Sequence, residues 1–227
     1  MDVSFEVTEL RAALAGVSDP AKAPEMAAYT KHRFQYLGCS AGERRLAAKS
    51  LTQAAKKVGP DQLLELATAL WVEPEREFHY VGMDVVRAGA KHLRLTDLPS
   101  IRGFITATPW WDTVDSLAIH TVGTMVTNHP DLVNEMDKWV ESDDFWIART
   151  ALLHQLMFKD RTDANRLFTY CVMHMESTEF FLRKAIGWAL RQYARTDPDA
   201  VRAFVAEHDG ELSGLSKREA LKHLGRD

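Results

Sequence analysis

Apolar residues recur at spacings of three and four along most of the chain, and strict alternation persists nowhere. That period predicts helices and no sustained strand. The stretches that carry it are 43–57, 61–72, 75–88, 109–128, 131–141, 144–158, 163–174 and 178–195, with shorter ones at 198–208 and 216–224. A weaker amphipathic segment, Glu6 to Leu14, is read as a cap ahead of them. The links hold Pro60, Pro74, Pro99, Pro130 and Pro198, residues that interrupt or open helices. The pattern predicts an all-α protein.

The helices also repeat. Thr108, Ser142 and Ser177 lie 34 and 35 residues apart, each read as a cap before an aromatic-rich helix. Asp115, Arg149 and Arg183 also fall 34 apart, with Arg218 following 35 later, and Arg149-Thr-Ala-Leu, Arg183-Lys-Ala-Ile and Arg218-Glu-Ala-Leu continue alike. Two helices per unit at this period predict an α-solenoid of HEAT-like pairs, with successive second helices lining one concave surface. Arginines along such a surface suit phosphates. An acid in their row, Asp115, would repel DNA and so needs a reason to be there.

Composition narrows the class. The 227 residues are 46% hydrophobic and 26% charged, as expected of one globular domain or one repeat array, here read as a single domain over 1–227. No apolar run approaches the roughly 18 residues of a membrane span. The start, Met1-Asp-Val-Ser-Phe-Glu, lacks the order of a signal peptide, and Cys39 and Cys171 suggest no disulfide framework. These features point to a reducing cytoplasm. A net charge of −4 argues against a nonspecific nucleic-acid coat while leaving room for a local basic face.

The most informative stretch is Trp110-Trp111-Asp112-Thr113-Val114-Asp115. With Thr108 as a cap and Pro109 in the first turn, Trp111 and Asp115 share one helical face. An indole beside a carboxylate can cradle a cation; equally, Asp112 and Asp115 can form an acidic variant of the capping box. A second constellation lies in 178–195. Leu182, Ile186, Ala189 and Tyr193 form its apolar stripe, and Lys184, Trp188, Arg191 and Arg195 another face. That basic stripe suits nucleic acid, where cations meet phosphate and an indole meets base or sugar; a core role for Trp188 is the alternative. Trp71, Trp139 and Trp146 fit core stripes, with Trp110 turned inward and Trp111 outward.

Taken in order, Trp110-Trp111-Asp112-Thr113-Val114-Asp115-Ser116, Trp146-Ile147-Ala148-Arg149, Lys184-Ala185-Ile186-Gly187-Trp188-Ala189-Leu190-Arg191 and Leu215-Ser216-Lys217-Arg218-Glu219-Ala220 resemble the AlkD-like DNA alkylation repair proteins. Pro74-Glu75-Arg76-Glu77-Phe78 and Tyr36-Leu37-Gly38 support the likeness, which runs from about residue 20 to the C-terminus. The resemblance implies a right-handed α-α superhelix of HEAT-like pairs. It also implies a monomeric, cofactor-independent glycosylase that removes alkylated purines from double-stranded DNA. Asp115 would be its catalytic acid, Trp111 and Trp188 its aromatic walls and Arg149 its essential arginine. Such an enzyme would work beside the nucleoid of a bacterial cytoplasm. Lys184, Arg191, Lys217 and Arg218 are candidate phosphate contacts.

The residue types fit that chemistry. Alkylation at N7 or N3 makes the purine cationic, and as it leaves, positive charge moves to the deoxyribose. A carboxylate can stabilise that charge and orient the attacking water, and indole faces attract a cation. Arg149 would grip a phosphate or fix the carboxylate. The nine histidines include His120, His154 and His223 near equivalent repeat positions and His174 three residues after Cys171, but no metal-site spacing appears. No Gly-x-Ser-x-Gly elbow or glycine-rich phosphate loop appears either. Asp112 is read as structural. A noncatalytic scaffold that binds DNA or a protein remains the alternative function.

Overall fold

The structure, a computed structural model, describes residues 2–225. They fall into two compact units, Met1–Thr113 and Val114–Asp227. Helices dominate both, and among the described residues the only β pairing is an isolated bridge between Gln35 and Glu75. The all-α expectation is therefore met. No helix among these residues is long and apolar enough to cross a membrane.

The first unit contains α1 (Val3–Ala15), α2 (Ala23–Tyr29), α3 (Ala41–Ala47), α4 (Lys49–Ala55), α5 (Pro60–Trp71), α6 (Arg76–Gly89) and α7 (Leu98–Ala107). Its centre is the α5–α6 pair, against which α1, α4 and α7 pack. Leu63, Leu66 and Leu70 of α5 are fully buried, as are Phe78, Val81 and Val85 of α6. The two helices come so close that a Cβ at Gly89 would lie 2.5 Å from Leu63 Cδ2. Pro60 opens α5, where its missing donor costs nothing.

Two helices here escape the periodicity reading. α2 buries no residue completely and so has no apolar stripe to detect. α7 does bury Leu98, Ile101, Phe104 and Ile105, but Pro99 reads as a linker residue when it in fact sits in the first turn. The predicted helix 43–57 is broken at Ala48, which both ends α3 and starts α4.

Helix α8 (Trp111–Ser116) spans the division between units. The second unit continues with a π-helical segment, Leu117–Val122, then α9 (Gly123–Asn128), α10 (Val133–Val140), α11 (Phe145–Leu153), α12 (Ala164–His174), α13 (Phe180–Tyr193), α14 (Pro198–Glu207) and α15 (Gly214–Ala220). The predicted single helix 109–128 is thus three segments, and the wider π turn removes residues beyond Ser116 from the 3.6-residue register. α11 packs on the π segment, on α10 and on α13, and α13 packs on α15. The last contact needs Gly187, since a Cβ there would stand 2.8 Å from the Ser216 carbonyl oxygen.

The capping expectations shift by a few residues. Thr108 ends α7 instead of starting α8, and its hydroxyl accepts from Trp71 Nε1. Ser142 and Ser177 each accept the N–H two residues ahead, and the residues so held, Asp144 and Glu179, are the side chains that cap α11 and α13. This shared device keeps the 35-residue equivalence of those two helix starts. Trp71, Trp110, Trp139 and Trp146 are buried, whereas Trp111, Trp188 and Tyr193 are half-buried.

Candidate active site

Asp115 and Arg149 meet in the second unit. Arg149 Nε donates to Asp115 Oδ1 at 2.7 Å and Nη2 donates to Oδ2 at 2.8 Å, the fork geometry that matches a guanidinium to a carboxylate. Arg149 is 4% exposed and the Asp115 side chain 14%, so solvent reaches the acid more readily than its partner. The remaining terminal nitrogen of Arg149 donates to the Phe181 carbonyl at the start of α13. Every polar group of the arginine thus faces protein. Between the two roles the sequence leaves open for Arg149, this geometry matches fixing the carboxylate.

Trp188 lies on α13, about two turns beyond Phe181. On the same helix Lys184 Nζ donates to Glu219 Oε1 at 2.8 Å, and Arg191 donates to the other oxygen of that acid. These bonds, led by the one from Lys184, hold the Glu219 carboxyl below its ordinary range. Lys217 is also engaged, with Asp209 Oδ1 at 2.8 Å and the Asp209 carbonyl at 2.7 Å. Arg218 is exposed and makes no ion pair among the described residues. Three of the four predicted phosphate contacts therefore carry an acidic partner in the free protein.

In the first unit, Trp111 opens α8 with its ring edge-on to Tyr29, at 5.7 Å between centroids and 74° between planes. Its offset of four from Asp115 is retained within one continuous helix. Trp110 turns inward and has the Arg33 guanidinium over its ring at 4.5 Å. Asp112 takes the structural role expected of it. Arg76 donates to both of its oxygens, at 2.5 and 3.3 Å, and the Tyr80 hydroxyl donates at 2.7 Å.

A feature that motif reading passes over is a basic groove of about 290 Å³ in the first unit. Arg45, Lys49 and Lys56 reach it from α3, α4 and the end of α4, and Arg87 from α6. All four are exposed and form no ion pair among the described residues. One carboxylate lines the groove, Asp84, and it is 4.0 Å from Arg44. Burial raises the Asp84 pKa. The signal was present in the sequence as cations spaced along 45–56 and at 87, but no single motif marks them.

No group of three or more His, Cys, Asp or Glu residues suited to a metal ion occurs among the described residues. His154 is buried with Nδ1 2.6 Å from the Ala151 carbonyl, and Cys39 and Cys171 are buried free thiols. Burial pushes the Cys39 thiol up to about 11 and raises Cys171 further. Neither is poised as a nucleophile.

The comparisons with known proteins decide the family. The family model described as DNA alkylation repair enzyme matches residues 10–224. The chain belongs to the DNA alkylation repair enzyme family. A solved structure of a predicted DNA alkylation repair enzyme from Enterococcus faecalis superposes with a TM-score of 0.86 and 31% sequence identity. The match covers 92% of this chain and 98% of that one. No curated protein matches. For a DNA alkylation repair protein, the Asp115–Arg149 pair and the set of exposed cations are the two features that need a chemical account.

Proposed function

We propose that the protein is a monofunctional DNA glycosylase of base excision repair, which hydrolyses the N-glycosidic bond of cationic N3- or N7-alkylated purines in duplex DNA. The observation that carries this reading is the Asp115–Arg149 pair: a carboxylate held by two hydrogen bonds from a buried guanidinium and itself partly exposed. A partly exposed carboxylate can accept more than the two hydrogen bonds from Arg149, and in this reading Asp115 also faces the sugar or a water molecule. The family match spans both units, which supports treating 1–227 as one working domain. The equivalent caps of α11 and α13 support HEAT-like helix pairing within the second unit.

In the proposed reaction the bond between C1′ and the purine nitrogen breaks, and its electron pair neutralises the cationic base. The deoxyribose gains oxocarbenium character, which Asp115 stabilises. Water then adds its oxygen to C1′ and releases a proton, leaving an abasic site. No cofactor is required. A unit charge pair at about 4 Å and an effective dielectric near 20 is worth roughly 4 kcal/mol. Arg149 shares the charge of Asp115, so this figure is a ceiling. Trp111 and Trp188 would each add about 0.5–2 kcal/mol of cation–π attraction.

Lys184 is the candidate amine that the basic stripe offers for a lyase step, and its nitrogen is engaged by Glu219, which supports a monofunctional enzyme. In the first unit, duplex DNA would be met by the groove around Arg45, Lys49, Lys56 and Arg87; in the second, Arg218 is exposed, and Lys184, Arg191 and Lys217 would serve after exchanging carboxylates for phosphates. The same neutralised cations favour the second reading, a noncatalytic scaffold. Incubating the protein with N7-methylguanine DNA and cleaving abasic sites with alkali separates the two. Strand breaks that depend on Asp115 support the glycosylase, and their absence supports the scaffold.

A further inference from the structure

Arg76 is wholly buried at the start of α6, and its guanidinium reaches both ends of the link between α7 and α8. Nη1 donates to the Thr108 carbonyl at 3.0 Å, and Nη2 to Asp112 Oδ1 at 2.5 Å and Thr113 Oγ1 at 2.9 Å. The chain so spanned contains Trp111. The guanidinium also stacks 3.8 Å above the Phe34 ring, and the backbone N–H of Arg76 is bonded to Gln35. Little freedom remains to this side chain.

The same carboxylate is held from a second direction. Tyr80 donates to Asp112 Oδ2, the Tyr80 and Tyr36 hydroxyls are 3.2 Å apart, and Tyr36 donates to Thr30 Oγ1 at 3.2 Å. Thr30 directly follows Tyr29, whose ring meets Trp111 edge-on. Glu77 secures the strand of chain around Tyr36, since it accepts from the N–H groups of Leu37, Gly38 and Cys39. Trp111 is therefore tied to one network twice: its backbone through the adjacent Asp112 and its ring through Tyr29.

Buried ion pairs are a weak source of stability, because well-packed apolar residues often do as well. Their better-attested use is to fix a geometry, and an aromatic wall needs its supporting groups locked to about half an ångström. We propose that Arg76 and Tyr80 are positioning residues for Trp111 and act through Asp112. The inference rests on the glycosylase reading for the role of Trp111, but the placement itself is separately measurable.

Fluorotryptophan-labelled protein is compared as wild type, Tyr80→Phe and Arg76→Lys, with the Trp111 and Trp188 resonances assigned from Trp111→Phe and Trp188→Phe. Tyr80→Phe keeps the ring that packs under Arg44 and Arg76 and removes two hydrogen bonds, the one to Asp112 and the one with the Tyr36 hydroxyl. The expected result is a shifted or broadened Trp111 fluorine resonance beside an unmoved Trp188. In single-turnover excision of N7-methylguanine the rate should fall about 3- to 10-fold with DNA affinity unchanged, and Tyr36→Phe should show a smaller change of the same sign. An unmoved Trp111 resonance in both variants, or equal movement of Trp188, overturns the proposal. So does an unchanged excision rate when the wild type is active. If the wild type frees no base, the glycosylase reading fails while the fluorine spectra still decide the positioning.

Discussion

Arg149 grips Asp115 by two parallel hydrogen bonds, so the acid and its nearest cation act as one unit. Asp115→Asn removes the charge and turns one acceptor into a donor that faces the guanidinium. The expected loss of excision rate is about two to three decades, from an attraction of roughly 4 kcal/mol at most. Leaving Arg149 half-unpaired also destabilises the fold, by up to about 3–5 kcal/mol for a buried pair and less here because Asp115 is partly solvated. Rate and melting temperature must be read together. A protein that stays folded at the assay temperature and keeps wild-type excision would remove Asp115 from the chemistry.

Trp111→Ala and Trp188→Ala should each cost less than Asp115→Asn. Each indole contributes about 0.5–2 kcal/mol, a factor of roughly 2 to 30 in rate. Trp111→Phe should fall in between wild type and alanine, because a phenyl ring retains an aromatic face beside Tyr29. Single-turnover rates on one substrate provide the ranking, and equal losses from all three positions would show that the charge term is not dominant.

The fold class was legible because helical periodicity survives in most of the well-buried elements. α5 and α6 show it through Leu63, Leu66, Leu70 and Phe78, Val81, Val85. α2 was not legible, because a helix with no fully buried residue has no stripe. In the candidate site, Asp115 and Arg149 stood out as equivalent positions of a 34-residue repeat, but the spacing alone did not pair them. The partners of Lys184, Arg191 and Lys217 were not, since Glu219 and Asp209 come from other turns and helices that no spacing rule connects. Thr108 misled for a similar reason: a threonine before a proline suits a cap, but Trp71 and Arg76 had already claimed its oxygens.

Those ion pairs make the cations unequal. Lys49 and Arg87 are exposed and unpaired among the described residues, so each can displace about one counterion's worth of salt dependence from DNA. Lys49→Gln or Arg87→Gln should lower the slope of log affinity against log salt by about one unit. Lys184→Gln should lower it by less, because in the free protein Glu219 already partners that charge. Binding isotherms for an unmodified duplex at several salt concentrations measure all three. A larger effect at Lys184 than at Lys49 would move the principal DNA contact to the second unit.

Two buried imidazoles make stability depend on pH. His154 has its pKa lowered from 6.5 to about 4, mainly by burial. His79 is likewise lowered to about 4, by burial and then by the charge of Arg76. Between those values the unfolded chain binds protons that the folded chain refuses, so stability falls as pH drops through the window from 6.5 to about 4. From about pH 7 to about pH 5 each group should cost roughly 2 kcal/mol. Asp137, whose carboxyl Arg166 holds below its ordinary range, contributes only at lower pH and does not mask the effect. Urea unfolding at the two pH values measures the change. His154→Gln is neutral throughout, so whatever it does to stability at pH 7, it should remove about half of the pH-dependent loss. A variant with the same slope as wild type would mean that His154 titrates at its ordinary value in the folded protein.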